Sequence, residues 1–351
     1  MVTGIQKTKA AILVRSNEQL EIDEVTFPSC LLVGQVLVEV ITAGICGAQI
    51  NEIDAVKGID SFLPHLLGHE GYAEVLEIGP GVTKVKVGQK VIMHWRKSQG
   101  IQAVPAEYTW RNERLNAGWV TTFNRHSIVS ENRLTAIPET RIDKRILPLL
   151  GCALTTAFGV VEREAQLTYG DSIIVYGCGG VGLLVIKLAK LRGVNSITAV
   201  DVDENKLSLA SKFGAGRVIR YTNLEETKSA LREFSQNDIS VAIETTGTSS
   251  GIEICFDAIA PGGKVVIVGV PHYKTEIKIP ALDLHFGKTF LGSKGGQTVP
   301  ERDIPVILKM LESGQLDLSD YPIEEKIIED INLLIEKIRN GSAGRKVILF
   351  N

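Results

Sequence analysis

The chain has 351 residues and a formal net charge of −3, from 38 lysines and arginines against 41 aspartates and glutamates. A chain of this length usually forms two domains, and its charge leaves no basic excess to attract nucleic acid. Its start is polar and no apolar run reaches membrane-spanning length. We therefore predict a cytoplasmic protein that binds neither nucleic acid nor a membrane. The five cysteines, sparse and odd in number, favour a reducing compartment.

The first 150 residues contain short β-branched or alternating runs, separated by glycine and proline. The predicted strands are Ala10–Arg15, Gln35–Thr42, Gly71–Ile78, Lys90–Met93 and Ser127–Val129. This pattern predicts a mostly antiparallel, barrel-like β domain.

From about Ala153 the pattern changes to strand, helix, strand, which is typical of a doubly wound parallel sheet. The predicted strands are Ser172–Tyr176, Ser196–Val200, Ser240–Glu244, Lys264–Val268 and Thr289–Gly292, and the predicted helices run from Val181 to a stop at Gly193 and from Ile252 to Ile259.

The last part of the chain contains two amphipathic segments, Pro300–Gly314 and Glu329–Asn340, followed by a strand at Arg345–Phe350 that can return to the first domain. No repeat or low-complexity linker separates the parts. We therefore predict that residues 153–293 form a cofactor domain inserted into a second domain made of residues 1–152 and 294–351.

A glycine-rich turn joins the first strand of the inserted domain to its helix. Its sequence is Gly177-Cys178-Gly179-Gly180-Val181-Gly182, which fits G-x-G-x-x-G, and Asp201 ends the next strand. Such glycines let the backbone approach a pyrophosphate at a helix N-terminus, and the aspartate can bind ribose hydroxyls. No arginine adjoins Asp201 to hold a 2′-phosphate, so the motif favours NAD over NADP. The alternative is a glycine-rich turn that binds no ligand.

Further motifs occur upstream in a fixed order: Gly44-Ile45-Cys46-Gly47, Gly68-His69-Glu70-Gly71, Gly79-Pro80-Gly81-Val82, Val87-Gly88-Gln89-Lys90-Val91 and Gly151-Cys152. With them the chain resembles the zinc-containing medium-chain alcohol dehydrogenases over essentially its whole length. The resemblance implies an α/β fold, with a Rossmann cofactor domain inserted into a GroES-like catalytic domain. It also implies that Cys46, His69 and Cys152 bind one catalytic zinc, with Glu70 in or near the ligand shell.

The residue types agree with this ligand set. Two thiolates and an imidazole suit Zn²⁺ and leave a fourth position open, as a catalytic site requires. Taken alone, each cysteine is equally explained as a small buried apolar residue. Cys30, Cys178 and Cys255 fit no ligand pattern, and His65 is interpreted as part of the approach to the Gly68-His69-Glu70 turn.

The resemblance implies hydride transfer between NAD and an alcohol or carbonyl substrate, with the metal as Lewis acid. It places Thr156 and Val270 near the nicotinamide, Lys206 near the adenosine ribose and Arg345 near the pyrophosphate. It also implies a homodimer or homotetramer, paired through the sheet edge near residues 281–292.

The chain departs from the family at the proton relay. Many members carry serine or threonine, and then histidine, where this chain has Ala48 and Asn51. Neither residue accepts a proton at neutral pH, so we expect the proton to leave through water at the metal, assisted by Glu70. Gln49 replaces an aspartate that orients the ligating imidazole in relatives.

A second departure lies in residues 96–126, which contain none of the four cysteines of the family's structural-zinc lobe. We therefore predict one zinc per chain. Four aromatic residues of this stretch, Tyr108, Trp110, Trp119 and Phe123, form either a small apolar core or a wall of the substrate pocket.

The family positions of the substrate pocket correspond to Ala48, Asn51 and Trp95. His94 is interpreted either as a pocket residue or as a histidine on a surface strand. Polar Gln49, Asn51 and His94 favour a polyol, sugar-derived or cyclitol secondary alcohol as substrate. The alternatives are a dehydrogenase of simple primary or secondary alcohols and a non-catalytic NAD(H)-binding sensor of the same fold.

Overall fold

A computed structural model describes residues 4–235 and 238–350. The contacts divide the chain into two compact units, one formed by Met1–Thr155, Val299–Asn340 and Arg345–Asn351 and the other by Thr156–Thr298 and Gly341–Gly344. We call them the catalytic unit and the cofactor unit, after the roles expected from the sequence. Among the described residues, no helix combines the length and apolar character needed to cross a membrane.

The strands, in chain order, are β1 (Lys7–Leu13), β2 (Glu21–Thr26), β3 (Gln35–Ile45), β4 (His65–Leu66), β5 (Glu70–Ile78), β6 (Lys90–His94), β7 (Tyr108–Trp110), β8 (Glu113–Leu115), β9 (His126–Ser130), β10 (Leu134–Ala136), β11 (Ser172–Tyr176), β12 (Ser196–Asp201), β13 (Arg217–Arg220), β14 (Val241–Glu244), β15 (Lys264–Ile267), β16 (Thr289–Gly292), β17 (Ile323–Lys326) and β18 (Arg345–Leu349).

The α-helices are α1 (Gly47–Ile53), α2 (Ala153–Gly159), α3 (Gly180–Arg192), α4 (Glu204–Phe213), α5 (Leu224–Ser235), α6 (Ser249–Ala258), α7 (Ala281–His285), α8 (Pro300–Glu312) and α9 (Ile331–Arg339). Short 3₁₀ turns lie at Glu131–Arg133, Leu147–Gly151, Gly295–Gln297 and Ile328–Asp330, and Val160–Glu164 forms one π-helical turn.

The catalytic unit contains two mainly antiparallel sheets, with strand orders β4-β1-β2-β7-β8 and β10-β6-β5-β3-β18-β17. The long strand β3 is rich in β-branched residues, and its Val36, Val38 and Val40 are fully buried in the core. The last strand, β18, pairs with β3 in antiparallel register, Val347 opposite Gly44. The end of the chain therefore returns to the first unit, as predicted.

The cofactor unit contains one parallel sheet of order β13-β12-β11-β14-β15-β16. From β11 the chain builds outward to β13 and then returns to β14 on the other side of β11. This reversal leaves a crevice at the carboxyl end of β11, which is where doubly wound sheets bind their ligands. The predicted α/β fold, with a barrel-like antiparallel part and a Rossmann part, is confirmed.

Several elements had no clear sequence signal. Helix α1 has only seven residues, too few to show a helical period. Strand β13 carries arginine at both ends and lacks a continuous apolar run. Strands β7 and β8, of three residues each, lie in the stretch between residues 96 and 126.

Candidate functional site

The structure brings three predicted ligands together in the catalytic unit. The Sγ atoms of Cys46 and Cys152 and a ring nitrogen of His69 all lie within 4.8 Å of one another. The two Sγ atoms are 4.0 Å apart. Cys46 lies between β3 and α1, His69 precedes β5, and Cys152 follows the 3₁₀ turn at Leu147–Gly151.

Gly151 makes this approach possible. A Cβ atom at this position would lie 2.2 Å from the Met93 carbonyl oxygen and 2.9 Å from the Glu70 Cα atom. A larger residue would therefore push the Cys152 segment away from β5 and β6. Glycine is needed here for space and not for backbone conformation, because Gly151 does not have a positive φ.

The His69 ring is oriented by Gln49. The Gln49 side-chain amide contacts Nδ1 of His69, whereas the buried Nε2 atom has no hydrogen-bond partner among the described residues. A buried ring nitrogen without a partner is unfavourable unless an ion completes it. The unpartnered ring nitrogen and the two neighbouring thiols fit Zn²⁺ by donor type and by number.

The two thiols share their protons unequally. The hydrogen bond with Cys152 lowers the pKa of Cys46 well below its ordinary value, and the nearby Arg345 guanidinium acts in the same direction. The same hydrogen bond, followed by burial, raises the pKa of Cys152. One thiolate is therefore already favoured, which is the form that binds a metal.

Glu70 is fully buried beside these ligands and is paired with Arg345. The Nε atom of Arg345 lies 3.1 Å from Oε1 of Glu70, and the Ala153 N–H donates to Oε2 over 3.4 Å. Burial raises the pKa of Glu70, and Arg345 opposes this rise. Strand β18 places Arg345 here because Lys346 is in register with Ile45. Arg345 thus contacts Glu70, and its predicted contact with a pyrophosphate stays a prediction.

A cavity of about 570 Å³ adjoins His69 and Gln49 in the catalytic unit. Its lining comes largely from Glu52–Gly68 and from the stretch that holds no structural-zinc cysteines, and includes Val104, Arg114, Asn116 and Trp119. The predicted pocket residues Ala48, Asn51 and Trp95 are not among its lining residues.

The four aromatic residues of this stretch divide between the two roles left open by the sequence. Tyr108, Trp110 and Phe123 are buried in the apolar core, and the Tyr108 hydroxyl accepts a hydrogen bond of 2.8 Å from the Ile128 N–H. Trp119 instead lines the cavity. Both interpretations therefore hold, for different residues.

His94 has neither of the two roles considered for it. It is 1% exposed, with Nδ1 donating to the Arg96 carbonyl over 2.8 Å and Nε2 accepting from the Thr135 hydroxyl over 3.0 Å. Burial lowers its pKa to about 4, so the ring is neutral. Both ring nitrogens are already hydrogen-bonded, so His94 does not favour a polar substrate.

A polar cluster on the cavity wall was not predicted from the sequence. His65, for which the sequence predicts no functional role, is 6% exposed, and its Nε2 atom lies 2.7 Å from Asp60 Oδ2. One ligand-type atom each from Glu52, Asp60 and His65 lies within 4.8 Å of the others. The three residues come from α1, a loop and β4, so no spacing rule connects them.

In the cofactor unit the glycine turn has the conformation the motif requires. Gly177 has φ +93°, and a Cβ at Gly182 would lie 1.9 Å from the Gly177 carbonyl oxygen. Helix α3 begins at Gly180, followed by Val181, and the space around the Cα of Gly179 is open. The turn therefore has a clear surface at a helix N-terminus, which suits a pyrophosphate.

Asp201 is held beside this turn at the carboxyl end of β12. Its carboxylate accepts hydrogen bonds from the Cys178 N–H (2.7 Å) and the Asp203 N–H (3.0 Å). Lys206, on the first turn of α4, places Nζ 3.8 Å from Asp201. Elsewhere in this unit Thr156 is buried and Val270 is 41% exposed.

Two protein-family models match the chain. The alcohol dehydrogenase GroES-like domain matches residues 33–139, and the zinc-binding dehydrogenase model matches residues 180–313. The chain is 27% identical over 374 residues to the S-(hydroxymethyl)glutathione dehydrogenase of Escherichia coli O1:K1, an alignment that covers 98% of this chain and 100% of the relative.

Solved structures share the fold. Benzyl alcohol dehydrogenase from Acinetobacter calcoaceticus has a TM-score of 0.87 at 24% identity and covers 99% of this chain and 100% of its own. Acetophenone reductase from Geotrichum candidum NBRC 4597, solved in complex with NAD, has a TM-score of 0.80 at 19% identity, with 99% and 98% covered. Since both parts of the chain match the same kind of enzyme, and the matches extend over almost the full length, the chain belongs to the zinc-containing medium-chain alcohol dehydrogenase family and is an oxidoreductase.

Proposed function

We propose that this enzyme uses one zinc ion, held by Cys46, His69 and Cys152, to transfer a hydride between NAD and a polyol, sugar-derived or cyclitol secondary alcohol. The observation that supports it best is that His69, whose buried Nε2 atom has no partner, lies with two thiols beside a cavity of about 570 Å³. A ligand group next to a cavity is what a catalytic site needs and a closed structural site lacks.

Zn²⁺ bound there would supply Lewis-acid chemistry toward the substrate oxygen. The chain's own part is to hold and orient the groups around it. Gln49 fixes the His69 ring, and Glu70 with Arg345 supplies a buried ion pair directly behind the ligands. In this arrangement Arg345 offsets negative charge that the thiolates add to the site.

Proton release needs a route that avoids Ala48 and Asn51, since neither side chain can titrate. We propose that Glu70 assists this step. Its raised pKa, caused by burial, brings the carboxylate closer to the neutral range in which a general base works. A Glu70→Gln variant that keeps the wild-type pH–rate profile would rule out this role.

The proposed cofactor is NAD, bound at the Gly177–Gly182 turn with Asp201 at the ribose. A carboxylate at this position repels a 2′-phosphate. The nearest arginine by strand pairing is Arg220, in register with Asp201 on β13, and its guanidinium is bound to Glu204 over 3.0 Å. This ion pair is solvent-exposed and therefore weak, so the NAD preference is attributed to the Asp201 carboxylate.

The domain roles and the assembly are also proposals. Residues 1–152 with 294–351 would form the zinc and substrate domain, and residues 153–293 the NAD domain. Helix α7, which precedes the edge strand β16, exposes Leu282 and Leu284, and the next residue after the helix, Phe286, is also exposed. This apolar surface supports pairing of two copies along this edge. Analytical ultracentrifugation of a Leu282→Glu, Phe286→Glu variant tests it, because loss of the oligomer is expected.

Removal and return of the metal test the proposed activity. The protein treated with a chelator should lose NAD reduction with a panel of polyols and alkanols, and Zn²⁺ should restore it. Faster turnover of simple alkanols than of polyols would favour a dehydrogenase of simple alcohols instead. NADH binding with no turnover on the whole panel would favour a non-catalytic sensor.

A further inference from the structure

Several polar side chains line the cavity beside His69, and their charges indicate the chemical class of the substrate. Glu52 lies one helical turn after Gln49 on α1, so both side chains project from the same face, roughly 5–6 Å apart at their Cβ atoms. Both residues line the cavity. A ligand whose oxygen is near His69 therefore extends past Gln49 toward Glu52.

Three polar side chains of the cavity wall that can donate hydrogen bonds are already paired. Arg114 binds Glu107 over 2.8 Å, and the Asn116 side-chain N–H donates to the Phe62 carbonyl over 2.7 Å. His65 is bound to Asp60. The polar groups of this wall that can still bind a ligand are therefore mainly carboxylates.

Glu52 is the exception among these carboxylates, because its side chain has no hydrogen-bond or ion-pair partner among the described residues. Asp60 lies beside it, and the ligand-type atoms of the two residues are within 4.8 Å of each other. Asp60 Oδ2 is bound to His65, and Oδ1 accepts from the Phe62 N–H over 2.9 Å. Two neighbouring carboxylates, one of them unpaired, attract a cation and repel an anion.

Gln49 provides a second, independent sign of a ligand. Its side chain is 98% buried, since only 2% of its surface is exposed, and Oε1 has no partner. Exchanging the two ends of the amide would satisfy Oε1 and leave Nε2 unpaired instead. In either orientation, one polar atom of this buried side chain on the cavity wall has no hydrogen-bond partner. A hydroxyl group of a ligand can donate or accept, so it can bind either orientation of the amide.

The rim of the cavity is apolar and aromatic. Phe62 is 69% exposed, Val104 66% and Trp119 43%, and all three line the cavity. Exposed aromatic faces of this kind suit the C–H surface of a saturated ring and are compatible with a nearby cation. The rim thus favours a cyclic ligand over a highly extended polar one.

We infer that the substrate is an alcohol that also carries a protonated amine, of the amino-polyol or amino-cyclitol class, with its ammonium group bound by Glu52 and Asp60. The inference rests on the proposed function, because the reacting hydroxyl is assigned to the His69 end of the same cavity. Acidic and phosphorylated alcohols are disfavoured by the same carboxylates. This includes the adduct named for the E. coli relative, since glutathione carries two carboxylates.

A matched pair of ligands isolates the charge. Trans-4-aminocyclohexanol and trans-1,4-cyclohexanediol have the same ring and differ by an ammonium in place of a hydroxyl. We expect kcat/KM for the amine to exceed that for the diol about tenfold at pH 7, and added salt to reduce the difference. Glu52→Gln should abolish the preference, read as the ratio of the two kcat/KM values within each protein, while Glu24→Gln, an exposed control outside the cavity, should keep the wild-type ratio.

Binding is measured separately from turnover, by quenching of tryptophan fluorescence in the zinc-loaded protein, because Trp119 lines the cavity. Binding that favours the amine and is lost in Glu52→Gln supports the inference even without turnover, in which case only the proposed function fails. Equal binding of amine and diol, or an amine preference that survives Glu52→Gln, would overturn the inference while turnover of the diol upholds the proposed function.

Discussion

The side-chain amide of Gln49 contacts Nδ1 of His69, on the opposite side of the ring from the unpartnered Nε2 atom. The contacting atom is Nε2 of Gln49, and a half-turn of the amide places Oε1 there instead. Ligation of zinc by Nε2 of His69 requires that half-turn, because Nδ1 then carries the proton and needs an acceptor. The acceptor that orients the His69 ring is thus a neutral amide.

Replacement of Gln49 should weaken the zinc site. In Gln49→Leu the Nδ1–H of His69 loses its acceptor, and we expect zinc affinity to fall about 10–100-fold, as for other groups that orient metal ligands. Gln49→Glu retains an acceptor and should bind zinc at least as tightly as the wild type. Competition with a chromophoric chelator measures both. Equal affinity in the Leu variant and the wild type would show that Gln49 does not orient the ring.

Glu131 should stabilise the lobe that lacks structural-zinc cysteines. Its buried carboxylate accepts N–H groups from Thr83 (2.6 Å), Lys84 (2.7 Å) and Ile101 (2.7 Å), so it joins two loops. Glu131→Gln leaves one N–H facing an amide NH₂, which should lower the free energy of unfolding by about 2 kcal/mol. Urea unfolding measures it, with the exposed Glu113→Gln as control, for which a change within about 0.5 kcal/mol is expected. A change in Glu131→Gln as small as that in the control would show that Glu131 does not stabilise this lobe.

Acid should destabilise the protein partly through His94. Its pKa is lowered to about 4 by burial, so between the unfolded value of about 6.5 and 4 the unfolded chain binds a proton that the folded protein does not. Stability is retained above pH 6.5 and lost as the pH falls toward 4.

The contribution of His94 to this loss of stability can be measured with a variant that has no titratable side chain at this position. From pH 7.5 to pH 5 the wild type should lose about 2 kcal/mol more than His94→Gln, in which the side chain no longer titrates. Unfolding free energies at the two pH values, with zinc in excess, provide the measurement. Parallel losses in the two proteins would mean that His94 titrates normally.

The fold was predictable where one residue pattern covers a whole element. Strand β11 and helix α3 were predicted within one residue, because a β-branched run is followed by helical spacing and by Gly193, which closes the helix with φ 81°. Helix α1 was not predicted, although it carries Gln49 and Glu52, because seven residues show no period.

The site was predictable only in part, for a similar reason. Cys46, His69 and Cys152 belong to ordered family motifs, and the fold brings them together. Glu52, Asp60 and His65 are adjacent only through tertiary packing, so no motif contains them. His94 was misjudged because its burial depends on Thr135 and on the Arg96 carbonyl, which the local sequence does not reveal.

Asp201 should determine the choice of dinucleotide. The wild type should prefer NAD to NADP by at least about tenfold in kcat/KM, because a 2′-phosphate would meet the Asp201 carboxylate. In Asp201→Asn we expect the preference to fall, with an increase in KM for NAD. Thermal melting must accompany the kinetics, since this carboxylate also accepts two backbone N–H groups. A wild type that uses both dinucleotides equally would contradict the assignment.

The central claim is that Cys46, His69 and Cys152 hold the one zinc ion of the chain. Its most direct test is the zinc content per chain, determined by elemental mass spectrometry on the purified wild type and on Cys46→Ser. We predict one zinc per chain in the wild type and almost none in the variant. Two zinc ions in the wild type, or an unchanged content in Cys46→Ser, would contradict the claim.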